Sequence, residues 1–190
     1  MESSVFEIHY THLTCPHKKL IHSIKLYPNL PIVTCDDDYI YNKYWLEYIY
    51  NQHIKYPNTV ITNRARKINY DTNGELLPYS RWKYNNINDL NSKNILPIGA
   101  DGILYPPKAF KDIVFNEDLF LSLCPRADDL WFKAMALLNN TSSQLSSQIP
   151  PKPIPIIGTQ KVALKKENSH LNKNVTQWKA LKDHFNFDAY

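Results

Sequence analysis

Three consecutive aspartates, Asp36-Asp37-Asp38, follow directly on the apolar, β-branched run Pro31-Ile32-Val33-Thr34-Cys35. Adjacent carboxylates repel, so the arrangement is costly unless a cation or a ring of hydrogen-bond donors offsets the charge. A hard divalent ion, Mg²⁺ or Mn²⁺, does this with oxygen ligands and keeps positions open for the phosphate oxygens of a nucleotide. In extended backbone Asp36 and Asp38 face one side and Asp37 the other. The plainer alternative is a polar turn in which an Asp caps the next helix.

Two further stretches carry residues of the same kind. Ala127-Asp128-Asp129-Leu130-Trp131-Phe132 places two acids at the first turn of an apolar helix. Such acids cap free N–H groups and suit the helix dipole. Beside a metal-bound diphosphate, however, one of them can take the proton from an attacking hydroxyl. The second stretch, Leu96 to Pro107, sets Gly99, Ala100, Asp101 and Gly102 in a row. Glycines flanking an Asp permit a tight turn and close approach of backbone to a ligand, although an ordinary turn needs the same residues. Neither a Walker loop nor a dinucleotide fingerprint occurs.

The elements that must position these residues are legible from periodicity. Leu20, Ile24 and Tyr27 recur at helical spacing over Lys18 to Tyr27, and Pro28 stops that helix. A buried strand over Pro31–Cys35 follows. Asn42 can cap a helix over Lys43 to Tyr56, where Trp45, Leu46, Ile49, Tyr50, His53 and Ile54 repeat at three and four, and Thr59 to Thr62 is a second strand. Asp71-Thr72-Asn73-Gly74 signals a hairpin turn and Asn85 to Asn94 a loop. Asp128 to Asn139 is helical, Ser142 to Pro155 reads as a Ser-, Gln- and Pro-rich connector, Ile156-Ile157 as a strand and Thr176 to Phe185 as a last helix. The alternation predicts one layered α/β domain, with chemistry in the loops at the strand ends. Its parts are an arm over 1–16, a core over 17–140, the connector over 141–155 and a closing strand and helix over 156–190.

Composition narrows the class. A hydrophobic share of 43% with 13 Tyr and 4 Trp rules out a disordered or collagen-like chain. No apolar run approaches the roughly 18 to 20 residues that span a bilayer. Without a basic and then apolar leader the chain is expected in the cytoplasm, where Cys15, Cys35 and Cys124, with no C-x-x-C spacing, are reduced thiols. Twenty-two basic against 18 acidic residues give a net charge of +4, a mild excess that suits an anionic ligand or the inner face of a membrane. The basic runs His17-Lys18-Lys19, Arg64-Ala65-Arg66-Lys67 and Lys165-Lys166 read as solvated faces. Aromatic residues are not interleaved with them as stacking platforms would be, so nucleic acid is not expected as a partner. A two-metal phosphoesterase lacks a His-rich ligand set.

Together, the strand ending in Asp36-Asp37-Asp38, the following Tyr41 and the helix from Trp45 resemble the D-x-D region of GT-A glycosyltransferases. Gly99 to Pro107 and Ala127 to Met135 resemble, in the same order and spacing, the acceptor-side loop and catalytic helix of bacterial family 2-like enzymes that build surface polysaccharide. The resemblance runs from about His17 to about Phe185. It implies a GT-A-like α/β fold, a mixed sheet flanked by helices, and inverting transfer of a sugar from a nucleotide-diphosphate donor to a glycan acceptor. In that scheme Asp36 and Asp38 hold the divalent cation and Asp37 meets the donor's ribose or sugar hydroxyls. Asp128 or Asp129 is the general base. Gly99, Ala100, Asp101 and Gly102 shape the acceptor pocket, with Arg64 and Trp82 in its wall, and His170 is a candidate for completing the metal shell.

The strands that hold a nucleotide base normally precede the D-x-D, and 35 residues do so here. The base site is therefore expected to be largely absent and the chain to be a fragment, a truncated frame or an inactive relative. A truncated sheet would expose an edge, so self-association is expected as well. The alternative function is a non-catalytic glycan- or partner-binding module derived from that fold.

Overall fold

The computed structural model describes residues 6–82, 93–159 and 172–187. Helix α1 (Lys18–Leu26) leads into strand β1 (Ile32–Thr34), and a turn through Asp37 and Asp38 leads into the short β2 (Tyr39–Ile40). Helix α2 (Trp45–Lys55), β3 (Val60–Thr62) and β4 (Ala65–Lys67) follow, then β5 (Ile95–Pro97) and β6 (Ile103–Tyr105). The remainder is α3 (Glu117–Leu123), α4 (Asp128–Leu138), β7 (Ser143–Leu145), β8 (Ile154–Pro155) and α5 (Lys173–Phe185).

The central sheet runs β1-β6-β3-β7. β6 pairs antiparallel with β1 and β3, whereas β3 pairs parallel with β7, so the sheet is mixed. Its two faces follow from the period of two. Leu104 and Ile61, with Val33, point to α2 and pack on Ile49. Ile32, Val60, Ile103 and Tyr105 point the other way, into the main core with Leu20 and Ile21 of α1 and Leu130, Trp131 and Ala134 of α4. Two smaller ladders flank the sheet: β4 with β5, and β2 with β8.

The register decides where chemistry can sit. Thr34 at the end of β1 and Thr62 at the end of β3 both pair with Ile103, the first residue of β6. The exits of β1 and β3 and the entry to β6 therefore share one edge of the sheet, the position at which layered α/β folds place their ligands.

Several expectations change. β1 is an edge strand with Ile32 and Val33 half-buried, because β6 covers it on one side. The stretch expected as a connector contains β7, whose Ser143 and Gln144 are buried; a polar Ser-Gln-Leu sequence conceals a strand whose stability comes from its parallel partner rather than from propensity. The late strand falls at Ile154–Pro155, and Ile157 is fully exposed. His17 is fully buried and stacked on Phe120, with ring centroids 4.3 Å apart, while Lys18 and Lys19 are exposed, so only the lysines of the first basic run face solvent. Residues 83–92, covering most of the expected loop, and Lys165, Lys166 and His170 lie outside the described residues. Among the described residues no helix is long and apolar enough to cross a membrane.

Leu104 is fully buried at the centre of the α2 face. Leu104→Ala should lower the unfolding free energy by about 2–5 kcal/mol, through lost burial and a residual cavity. Urea unfolding measures this, and a loss under about 1 kcal/mol would mean that the β6–α2 contact contributes little.

Candidate functional site

The three acidic and glycine-bearing stretches meet at that shared edge, and the group that joins them is Lys19. It lies in the first turn of α1, and its ammonium forms an ion pair and a short hydrogen bond with the Asp36 carboxylate. The two side chains remain 33% and 22% exposed, so the pair is open to solvent and to a ligand. Asp128 and Asp129, in the first turn of α4, act on the same ammonium. Both Oδ1 and Oδ2 of Asp129 accept from the Gly99 amide, at 3.1 and 3.2 Å. A Cβ at position 99 would stand 3.1 Å from Asp129 Oδ1, so glycine is what lets the backbone approach the carboxylate this closely.

Hydrogen bonds brace this frame. The Asp36 amide donates to the Tyr41 hydroxyl at 2.9 Å, and that hydroxyl donates to the Ala100 carbonyl at 2.9 Å. Burial pushes the Tyr41 hydroxyl up to about 12, which keeps it a donor. The Trp45 indole donates to the Asp101 carbonyl at 2.7 Å and packs on Tyr41, with centroids 4.6 Å apart. Gly102 adopts φ of +99°, and a Cβ there would reach within 2.3 Å of the Trp45 ring. Gly99–Asp101 is a single 3-10 turn clamped between α2 and α4.

The Asp101 carboxylate pairs with Arg64 at 3.3 Å, and Asn63 Nδ2 donates to the Asp101 carbonyl at 3.3 Å. Asn63 Oδ1 is buried with no hydrogen-bond partner among the described residues, an acceptor that a ligand hydroxyl would satisfy. Arg64 and Asp101 thus form an ion pair beside the Gly99–Asp101 turn. Trp82 does not form a surface wall: it is fully buried, its indole donating to the Leu77 carbonyl at 2.8 Å and its ring meeting Tyr79 edge-on. Arg66, over the Tyr79 ring at 4.4 Å and donating to the Trp82 carbonyl, is likewise no solvated charge.

The aspartate triad is not extended. Asp36 has left the strand and Asp37-Asp38 is a turn, so strand alternation does not decide which carboxylates share a side. Asp37 is exposed, and Asp38 is half-buried with its carbonyl accepting from the Ile156 amide at 2.8 Å. Among the described residues no group of three or more His, Cys, Asp or Glu is arranged to hold a metal ion. Lys19 instead provides the positive charge nearest Asp36.

Crowding shifts the titrations. Asp128 and Asp129 are closely surrounded by protein, though each keeps some exposure, and both are raised above the usual carboxylate range. Burial is the largest cause for each. The Asp128 charge adds to the shift of Asp129, while Lys19 and the Gly99 amide oppose it. Burial works against the Lys19 ammonium too, but Asp128 and Asp36 outweigh it, so Lys19 is raised and stays charged at neutral pH.

Sequence reasoning missed Lys19 and the bridging role of Tyr41. The available signal for Lys19 was positional: a cation in the first turn of a helix, where the dipole favours an anion, needs a partner outside the helix. Comparison with protein-family models, with curated proteins and with solved structures gives no match.

The Asp129 carboxyl moves from the ordinary 3.8 up to about 8 on folding. The folded chain then holds a proton that the unfolded chain has released, so this contribution to stability is full below about pH 4 and is lost as pH rises toward 8. Asp129→Asn keeps an oxygen for the Gly99 amide and carries no titrating charge. Its urea midpoint should match wild type near pH 4 and exceed it at pH 8. A difference that does not change with pH would show that Asp129 ionises normally.

Proposed function

We propose that this chain is a metal-dependent glycosyltransferase, or the catalytic part of one, moving a sugar from a nucleotide-diphosphate donor to a hydroxyl of a glycan acceptor. One observation carries the reading: Asp36, Gly99 and Asp129, from three stretches far apart in sequence, meet around Lys19 where β1 and β3 end and β6 begins. The order and spacing of those stretches, which resemble family 2-like GT-A enzymes, support it further.

Asp36 and Asp38 are the residues that would hold Mn²⁺ or Mg²⁺. The partly exposed Asp36 carboxylate, beside a surplus of acid over base, fits a hard cation with oxygen preference. Such a cation, when bound, offsets the charge that develops on a leaving diphosphate. Lys19 shares that task from the protein side, since its ammonium is fixed beside Asp36 and stays protonated. Asp37, exposed at the same turn, is the donor-side hydroxyl contact.

Asp129 is the better placed general base. Its carboxylate is oriented by the Gly99 amide, and its raised pKa brings it near neutral pH, where a carboxylate accepts a proton most effectively. Asp128 then acts by raising Asp129. Arg64, Asp101 and the unpaired Asn63 Oδ1 offer polar contacts for the acceptor.

A second reading, a non-catalytic glycan- or partner-binding module, is favoured by a single feature: Lys19 already serves as counter-ion to the acids. Calorimetric titration of the chain with UDP and other nucleoside diphosphates, with Mn²⁺ and then with EDTA, separates the two. Metal-dependent binding is expected and should be lost in Asp36→Asn and Asp38→Asn with little change in folding, because a charge is removed from a repelling cluster. Asp129→Asn should keep donor affinity while losing turnover by about 10²–10⁴-fold, with Asp128→Asn milder. No nucleotide binding under any condition would leave the binding-module reading.

A further inference from the structure

Helix α2 is apolar on its outer face as well as its inner one. The inner face buries Ile49 fully and turns Trp45 to the Asp101 carbonyl. On the outside Leu46, Tyr50 and Ile54 recur every fourth residue, and they remain 52%, 48% and 61% exposed. Side chains at that spacing are neighbours along a helix, so the three form one continuous stripe rather than scattered surface residues. The outward face of a helix in a monomer normally carries charged and polar residues there.

A second row runs along one flank of the stripe at the same spacing: Glu47, Asn51 and Lys55, all exposed. It is acidic toward the start of the helix and basic toward its end, so it is complementary to its own reverse. Let two copies of α2 lie antiparallel about a two-fold axis near Tyr50. Leu46 then meets the second copy's Ile54, Tyr50 meets Tyr50, Asn51 meets Asn51, and Glu47 opposes Lys55 twice. Lys43, before the helix begins, falls beside the second copy's Pro57 and Asn58, where no like charge opposes it. In a parallel pairing the two charged rows would lie on opposite sides of the seam and could not meet.

We propose that the outer face of α2 docks a second copy of this chain, forming an antiparallel, two-fold symmetric dimer. Charges of both signs beside the stripe suit this occupant better than an anionic lipid surface, which favours a purely basic flank. The 11 residues of α2 extend over about 16 Å, so the interface is at the low end of specific contacts and the dimer is reversible. The inference does not rest on the sugar-transfer reading, since Trp45 and the turn it holds lie on the other side of the helix.

The test is sedimentation velocity of the full chain at rising protein concentration in low salt. Wild type should pass reversibly from monomer to dimer, and Tyr50→Glu, which sets two carboxylates on the axis, should stay monomeric throughout. Glu47→Lys alone and Lys55→Glu alone each turn both ion pairs into like-charge contacts and should weaken the dimer about tenfold. An equimolar mixture of those two variants should restore it as a mixed dimer, and so should the double variant Glu47→Lys/Lys55→Glu. That exchange does not depend on whether Tyr50→Glu folds, and an unrelated apolar contact would not reproduce it. A wild type that stays monomeric, including one that instead binds phosphatidylglycerol vesicles, would overturn the proposal. So would a dimer that Tyr50→Glu leaves intact, or charge variants that do not recover on mixing.

Discussion

The candidate site depends on one ammonium group. Asp36, Asp128 and Asp129 come from two different elements and face a common space, and their mutual repulsion would drive β1's exit loop and the start of α4 apart. Lys19 offsets that repulsion from a third element, α1. It does so incompletely. One positive charge against three carboxylates leaves a surplus of acid, which adds to burial, the larger cause, in raising Asp128 and Asp129 above the usual carboxylate range. A cluster in this condition can take up a further positive charge or give up a proton.

The rest of the edge is rigid, and rigidity makes the charge placement useful. Tyr41 joins the amide of Asp36 to the carbonyl of Ala100, and Trp45 joins α2 to Asp101, so the 3-10 turn at Gly99–Asp101 cannot move independently of the aspartate triad. The two glycines act differently. Gly99 keeps a Cβ away from Asp129, and Gly102 supplies the left-handed backbone that turns the chain into β6 under the Trp45 ring. Supporting groups of this kind, locked by packing and hydrogen bonds, hold a reactive carboxylate in one orientation. Arg64 and Asp101 are set on the same frame through the Asn63 amide.

How far this was legible in the sequence divides along the range of the forces. The helices α1, α2 and α4 and strands β1 and β3 follow from local periodicity and proline stops, and they appear within a few residues of where the pattern put them. The motifs that meet were also legible, since acids and glycines outside an apolar pattern mark themselves. What pattern could not show was partnership. Lys19 looked like one member of a basic run, and only the fold brings Asp36 to it. β7 is polar by sequence and is a strand because β3 lies beside it. Trp82 looked like a surface aromatic near the loop and is a core residue that meets Tyr79 edge-on. Each miss is a case in which a non-local contact overrode a local reading.

Lys133 belongs to the same class and carries the argument one turn further along α4. It stands four residues after Asp129, and the two line one small void with Tyr105 and Ser143. Burial moves the acid up and the base down, so both come to titrate near neutrality for the same reason. Helix α4 thus carries three ionisable residues, Asp128, Asp129 and Lys133, each shifted chiefly by burial. The apolar body of the helix, Leu130, Trp131, Phe132, Ala134 and Met135, is what makes this so. It supplies the burial that moves all three groups, and so the packing of the core and the ionisation state of the candidate site are set by the same residues.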